Sequence, residues 1–217
     1  MFYDTLKNKH GLRHDPWKSV VVPRPIGWVS TVSKDGINNI APYSFFNAVG
    51  SNPHYVMFSS GGRKDSVRNA EETGEFVCSL ATWDLRHEMN ATSAELPHGV
   101  DEFPLANLTT ASSELVRPPR VKESPVSLEC RYWKTLELPN VDGVTPSGHL
   151  VVLGMAVGIY IDDAFIKDGR VDTAAMRPIA RLGYMDYAVV TPETVFTIHR
   201  PQLDADGNIV SPTTSGG

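Results

Sequence analysis

Between Gly27 and Ala81 the apolar positions fall in short runs of strand length, separated by turn residues. Gly27–Ser33 (GWVSTVS) predicts a strand, Lys34-Asp35-Gly36 a hairpin turn, and Ile37–Asn47 the returning strand. Pro42 falls inside that return. Proline donates nothing to a ladder, so an edge position or a bulge is expected there. Asn52-Pro53 marks the next turn and His54–Ser59 a third strand. Lys64–Thr73 reads as a helix stopped by Gly74, with Asp65 or Ser66 available as its N-cap. Glu75–Ala81 returns to strand. Leu85–Glu95 predicts a second helix, and Leu96–Ala111, with Pro, Gly and Asn at intervals, a loop. Pro125–Leu138 alternates as one long strand. His149–Ile161 predicts a further strand, where Gly154 and Gly158 permit the bends that close a barrel. Upstream, Pro23 and Pro25 hold Arg24 extended.

Six or more strands with two inserted helices, and no regular βαβ alternation, predict a mainly β fold. The expected architecture is an antiparallel barrel with inserted helices, not a Rossmann sheet. The 217 residues suit one domain. Its expected limits are 18–203, with an N-terminal arm over 1–17 and a polar, mobile tail over 204–217.

Composition narrows the function classes. Lys plus Arg number 20 against 25 Asp plus Glu, a net charge of −5 that argues against a nucleic-acid partner. No apolar run reaches membrane-span length and the N-terminus lacks a signal-type segment, so a cytoplasmic protein without a membrane partner is expected. The two cysteines, Cys78 and Cys130, sit in apolar strand runs and read as buried reduced thiols. Nucleotide-binding GxGxxG and GxxxxGK[ST] loops, the GxSxG elbow and CxxC pairs are absent. His87-Glu88 begins a zinc-type HExxH pattern, but its fifth position is Ala91, so no metal site is expected.

What remains is a phosphate-shaped pattern. In Ser59-Ser60-Gly61-Gly62-Arg63-Lys64-Asp65-Ser66 a strand ends, two glycines turn the backbone, and a helix begins. Helix starts carry free N–H donors and partial positive charge. Ser59, Arg63, Lys64 and Ser66 add hydroxyls and full charges suited to a phosphate monoester. The same residues would also serve an ordinary helix start with two solvated cations. Two further segments supply hydrogen-bonding groups on strands: Asn39 to Asn47 (NIAPYSFFN), with Ala41, Pro42, Tyr43 and Ser44 at its centre, and Trp28-Val29-Ser30-Thr31. Ser30 and Thr31 point to opposite faces, so only one can meet a given ligand.

Together, RPIGWVSTVS with its KDG turn, NIAPYSFFNAVGSNP, the SSxxRKDS loop and EFVCSL resemble the flavin reductase-like family with its FMN-binding split barrel. That family includes reductase components of two-component monooxygenases and flavoredoxin-type proteins. The resemblance implies FMN at a homodimer interface. It implies that Ser30 or Thr31 and the Asn39–Asn47 segment border the ring system, and that Ser59, Arg63, Lys64, Asp65 and Ser66 lie at the phosphate. Arg181 and Tyr184 belong to a segment that returns toward the flavin. Gly154-Met155-Ala156 stands where many relatives have Gly-Glu-Val, and Gly183-Tyr184 where many have Gly-Gly before a tyrosine. The implied activity is hydride transfer from NADH or NADPH to FMN, serving a partner oxygenase or another acceptor, with no side-chain acid or base. An FMN-holding electron carrier or oxygenase, a non-catalytic flavin-binding module, and a pyridoxal-phosphate-type oxidase on a related barrel are the alternatives.

Overall fold

The computed structural model describes residues 1–204 and 206–210. Seven strands form one antiparallel sheet: β1 (Gly27–Val32), β2 (Asn38–Tyr43), β3 (Phe46–Ser51), β4 (His54–Gly61), β5 (Glu75–Leu80), β6 (Val126–Pro139) and β7 (Pro146–Ile161). Their order across the sheet is β2-β1-β5-β6-β7-β4-β3. β2 and β3 are therefore consecutive in the chain yet occupy opposite edges. Only Ser44 and Phe45 join them, so the sheet must curl until its edges meet, which makes it a barrel split along that line. The single strand expected over Ile37–Asn47 is thus two strands. Pro42 lies on the edge strand, where its missing N–H costs no ladder bond. The crossing is held by the Ser59 N–H, which donates to the Phe45 carbonyl at 2.8 Å.

α1 (Asp65–Thr73) follows β4 and stops at Gly74, whose φ of 76° is a left-handed conformation that glycine adopts without strain. Its N-cap is Lys64, which makes no side-chain capping bond, so neither Asp65 nor Ser66 caps the helix. α2 is shorter than its pattern predicts, Arg86–Ala91, because Thr92 and Ser93 turn their hydroxyls back onto the carbonyls of Met89 and Asn90. The expected loop after it contains one more helical element, α3 (Glu102–Leu105), capped by the Asp101 carboxylate on the Phe103 N–H.

β1 is buried on both faces. Val29 belongs to an interior cluster with Phe58, Phe76 and Val152, while its neighbour Trp28 packs outside the sheet with Ile40, Met89, Phe103 and Ile179. The Trp28 indole N–H donates to the Thr92 hydroxyl at 2.9 Å, tying α2 to the barrel wall. Gly154 sits at a register shift of the β6–β7 ladder, and a Cβ there would lie 2.4 Å from the Phe76 ring. The core phenylalanine fills the space that glycine leaves. Cys78 and Cys130 are free and buried. Their mutual hydrogen bond, then burial, push the Cys78 thiol well above the ordinary range, so it stays protonated and unreactive.

Two features lie outside the barrel. β6 and β7 run on past it as a hairpin arm whose tip carries Val141 and Val144, 82% and 85% exposed. Residues Arg24–Pro25, Ile179–Arg181 and Tyr187–Val189 form a small three-stranded sheet. The extended Arg24 is buried there. Its guanidinium donates to the Val21 and Leu182 carbonyls, both at 2.8 Å, which staples the segment before β1 to the loop after Arg181. The tail expected over 204–217 lies mostly outside the described residues. Of its described part, Ile209–Val210 pair with Gln202–Leu203.

Candidate functional site

A cavity of about 650 Å3 opens along the split in the barrel. Three stretches wall it: Asn39 and Ala41 to Phe45 on β2 and the crossing, Ser59 to Ser66 where β4 gives way to α1, and Thr92 to His98 after α2. The split places these walls together. An edge strand and a strand end leave backbone groups unpaired, and a helix start adds more.

One end of the cavity is built for an anion. The first turn of α1 has no side-chain cap, so its N–H groups and the positive end of its dipole face outward. Arg63, Lys64, Ser59 and Ser66 surround it, and Lys18 and Arg68 add charge. The two loop cations are themselves more than half exposed: Arg63 pairs with the partly buried Glu71, and Lys64 Nζ lies 3.6 Å from Glu95, itself 89% exposed. Such pairs are worth at most about 1 kcal/mol, and a phosphate can displace them. Asp65 is differently placed. Its carboxylate accepts from Arg68 at 3.1 Å and from the Gly99 N–H at 3.1 Å, and lies 2.6 Å from His98 Nδ1. Asp65 thus ties the Thr92–His98 wall to the helix start and is turned away from capping.

Beneath the charges lies a buried neutral layer. Thr31 Oγ1 accepts from Asn39 at 3.2 Å and from Asn69 at 3.1 Å, and Asn39 also donates to Ser66 at 2.9 Å. All four residues are at most 5% exposed. They lock β1, β2 and α1 into one geometry, which sets where the helix start points.

The opposite wall carries two titratable groups. Burial raises the Tyr43 phenol above its usual range, with the Ser66 and Ser60 hydroxyls pulling the other way. Burial also raises Glu102, opposed by the Ile40 N–H that its carboxylate accepts at 2.9 Å, with Asp101 and Asp65 adding repulsion. A carboxyl that holds its proton longer adds less negative charge to a cavity suited to anions.

Of the residues singled out in the sequence, Asn39, Ala41, Pro42, Tyr43, Ser44, Ser59, Arg63, Lys64, Asp65 and Ser66 line this one cavity. Thr31 supports it from behind. Ser30 faces elsewhere and donates to the Pro119 carbonyl, so of the adjacent pair only Thr31 serves the site. Asn47 lies on β3, exposed, with its side chain accepting from the Ala48 N–H. Arg181 stacks on Tyr187 and Tyr184 on His14, both outside the cavity lining. The Thr92–His98 wall, Lys18, Arg68 and Glu102 were not foreseen. A Thr-Ser pair closing a short helix was the one available signal for that wall, and the helix period extended through it concealed the break.

A phosphorylated flavin fits these residues. An uncapped helix start, two displaceable cations and hydroxyl donors suit its phosphate. The space is of the usual size for such ligands, and the Ala41–Phe45 wall offers small and apolar surface to a planar ring. Among the described residues no cluster of His, Cys, Asp or Glu forms a metal site, and no helix is long and apolar enough to cross a membrane.

Residues 19–179 match the flavin reductase like domain. The chain belongs to the flavin reductase-like family, flavoprotein oxidoreductases built on a split barrel. An uncharacterized protein of Aquifex aeolicus (strain VF5) is 41% identical over 170 residues, 76% of this chain and 83% of that one. Nitrilotriacetate monooxygenase component B from Bacillus cereus superposes with a TM-score of 0.80 at 30% identity, over 90% of this chain and 98% of that one. A split barrel domain protein from Shewanella frigidimarina NCIMB 400 shares the fold, with a TM-score of 0.74 at 20% identity over 92% and 98% of the two chains.

Proposed function

We propose that this protein is an FMN-dependent flavin reductase that takes hydride from NADH or NADPH and works as a homodimer. The observation that carries the reading is the uncapped start of α1 with Arg63 and Lys64 at one end of the split-barrel cavity. Bound FMN would supply the redox chemistry, accepting hydride from the nicotinamide. Ser59, Arg63, Lys64, Ser66 and the α1 amides would hold its phosphate. The Ala41–Phe45 wall would seat the ring and exclude water from one face. The Thr31–Asn39–Asn69 layer keeps these groups in place before the ligand arrives, so little ordering remains to oppose binding. With FMN bound, the site would need only to position the nicotinamide against it, and no side-chain acid or base would be required.

Similarity to a monooxygenase component B supports an oxygenase as the partner that receives reduced flavin. The homodimer reading rests on exposed apolar residues of the β6–β7 arm: Trp133, Leu136, Leu138, Val141 and Val144. The two reduced thiols suit a cytoplasmic location.

Anaerobic stopped-flow absorbance of FMN-loaded protein mixed with NADH, then NADPH, tests the proposal. Rapid bleaching of the flavin band with either is expected and names the donor. A flavin that binds but stays oxidised with both would replace the reductase with a carrier. Failure to load FMN would return Arg63 and Lys64 to solvated surface cations.

A further inference from the structure

A second cavity, of about 370 Å3, lies on the far side of α2 from the first. Its floor is apolar: Met89 and Ile179 are 2% and 6% exposed. Trp83 and Tyr187 also line it, 38% and 39% exposed, so part of each ring is open to an entering molecule. Arg86 is the arginine of its lining, with its guanidinium 4.1 Å from the Trp83 ring centre; Arg181, outside the lining, sits 4.4 Å from that of Tyr187. Arg177 approaches Trp83 at 5.5 Å but is paired with Asp84 at 3.1 Å. Arg86 donates one N–H to the Trp83 carbonyl and makes no ion pair with a carboxylate of the described residues. Glu88 of the same helix does not line the cavity. An apolar cavity lined by two aromatic rings and one arginine, in a protein of net charge −5, is complementary to a planar ring bearing one negative charge.

We propose that this cavity is a second small-molecule site, for an aromatic carboxylate, separate from the phosphate-end site. The ring enters between Trp83 and Tyr187 over Met89 and Ile179, and the carboxylate pairs with Arg86. The volume holds a one- or two-ring compound but not a nucleotide in addition to its ring. α2 couples the two sites in space. Arg86, His87, Met89 and Asn90 line the second cavity, while Thr92, two residues beyond Asn90, lines the first and is bonded to Trp28. The proposal does not depend on which cofactor fills the first cavity.

Calorimetric titration with sodium 2-naphthoate tests it, with uncharged 2-naphthamide as control. Wild-type protein is expected to bind one naphthoate per chain with a Kd of about 0.1–1 mM. Arg86→Gln should weaken it about tenfold. Trp83→Ala should do the same and, being at a partly exposed position, leave the melting temperature within a few degrees. Lys64→Ala should leave naphthoate binding unchanged, and Arg86→Gln should leave FMN affinity unchanged. Absence of saturable heat overturns the site. Equal affinity for the amide overturns the carboxylate class. Displacement of naphthoate by FMN, or its loss in Lys64→Ala, assigns the heat to the first cavity and overturns the second.

Discussion

The phosphate-end site has two layers that differ in kind. The outer layer is charged and more open: Arg63 and Lys64 are each more than half exposed, so solvent screens their pairing with Glu71 and Glu95. The inner layer is neutral and buried: Thr31, Asn39, Asn69 and Ser66 satisfy one another at 2.9–3.2 Å. The outer layer can change partners at little cost, which is what capturing an anion requires. The inner layer cannot, because a donor that loses its acceptor there has no water to turn to. On the proposed reading, anion affinity would reside in the outer layer and geometry in the inner one.

The largest test of this division is Thr31→Val, which keeps the shape and deletes the acceptor shared by two amides. It should cost about 2–4 kcal/mol of stability, lowering the melting temperature by roughly 5–15 °C, while Thr31→Ser stays close to wild type. Thermal melts of the two variants decide it, and an unshifted melt for Thr31→Val would dissolve the distinction between layers.

Lys64→Ala addresses the other layer. FMN affinity should fall roughly ten- to a hundredfold, about 1.5–3 kcal/mol, with the melting temperature of the free protein nearly unchanged. Fluorescence titration with FMN reads this, and an unchanged affinity removes Lys64 from the site. Glu95→Gln should act in the opposite direction and more weakly. Removing the exposed carboxylate that shares Lys64 should tighten FMN by up to about fivefold, an advantage that vanishes at high salt.

The smallest effect concerns Glu102 on the opposite wall. Its folded-state pKa is raised by burial, so between its unfolded and folded values the folded protein holds the extra proton. Stability therefore falls as pH rises through that window, and the penalty is complete above the folded pKa. Glu102→Gln should flatten this part of the stability–pH curve and can still accept from the Ile40 N–H. Denaturant midpoints of both proteins across the acidic range check the sign.

Much of the site was legible because its residues are contiguous. Ser59 to Ser66 combine a strand end, small turn residues, cations and a helix start, a local pattern that suits an anion and equally an ordinary helix start. The Asn39–Ser44 wall was legible through Pro42, whose missing N–H points to a strand edge. The Thr92–His98 wall was not. Its place over the site depends on Asp65 holding Gly99 and approaching His98, and on Thr92 accepting from Trp28, contacts between residues roughly 30 or more positions apart. Arg181 and Tyr184, carried by family resemblance, lie outside the cavity lining within one chain.

The sequence by itself determined most of the strands and turns and the stop at Gly74, narrowed Pro42 to an edge or a bulge, and showed the cations and hydroxyls of the Arg63–Ser66 loop, because each depends on neighbours within a few positions. Only the tertiary structure decided that Ile37–Asn47 breaks at Ser44-Phe45 to span both edges of the sheet, which of Ser30 and Thr31 faces the site, and that Asp65 ties two walls together where a cap was expected. These depend on barrel closure. Closure is a property of the whole sheet, set by how seven strands stagger and curl, and no local run of residues carries it.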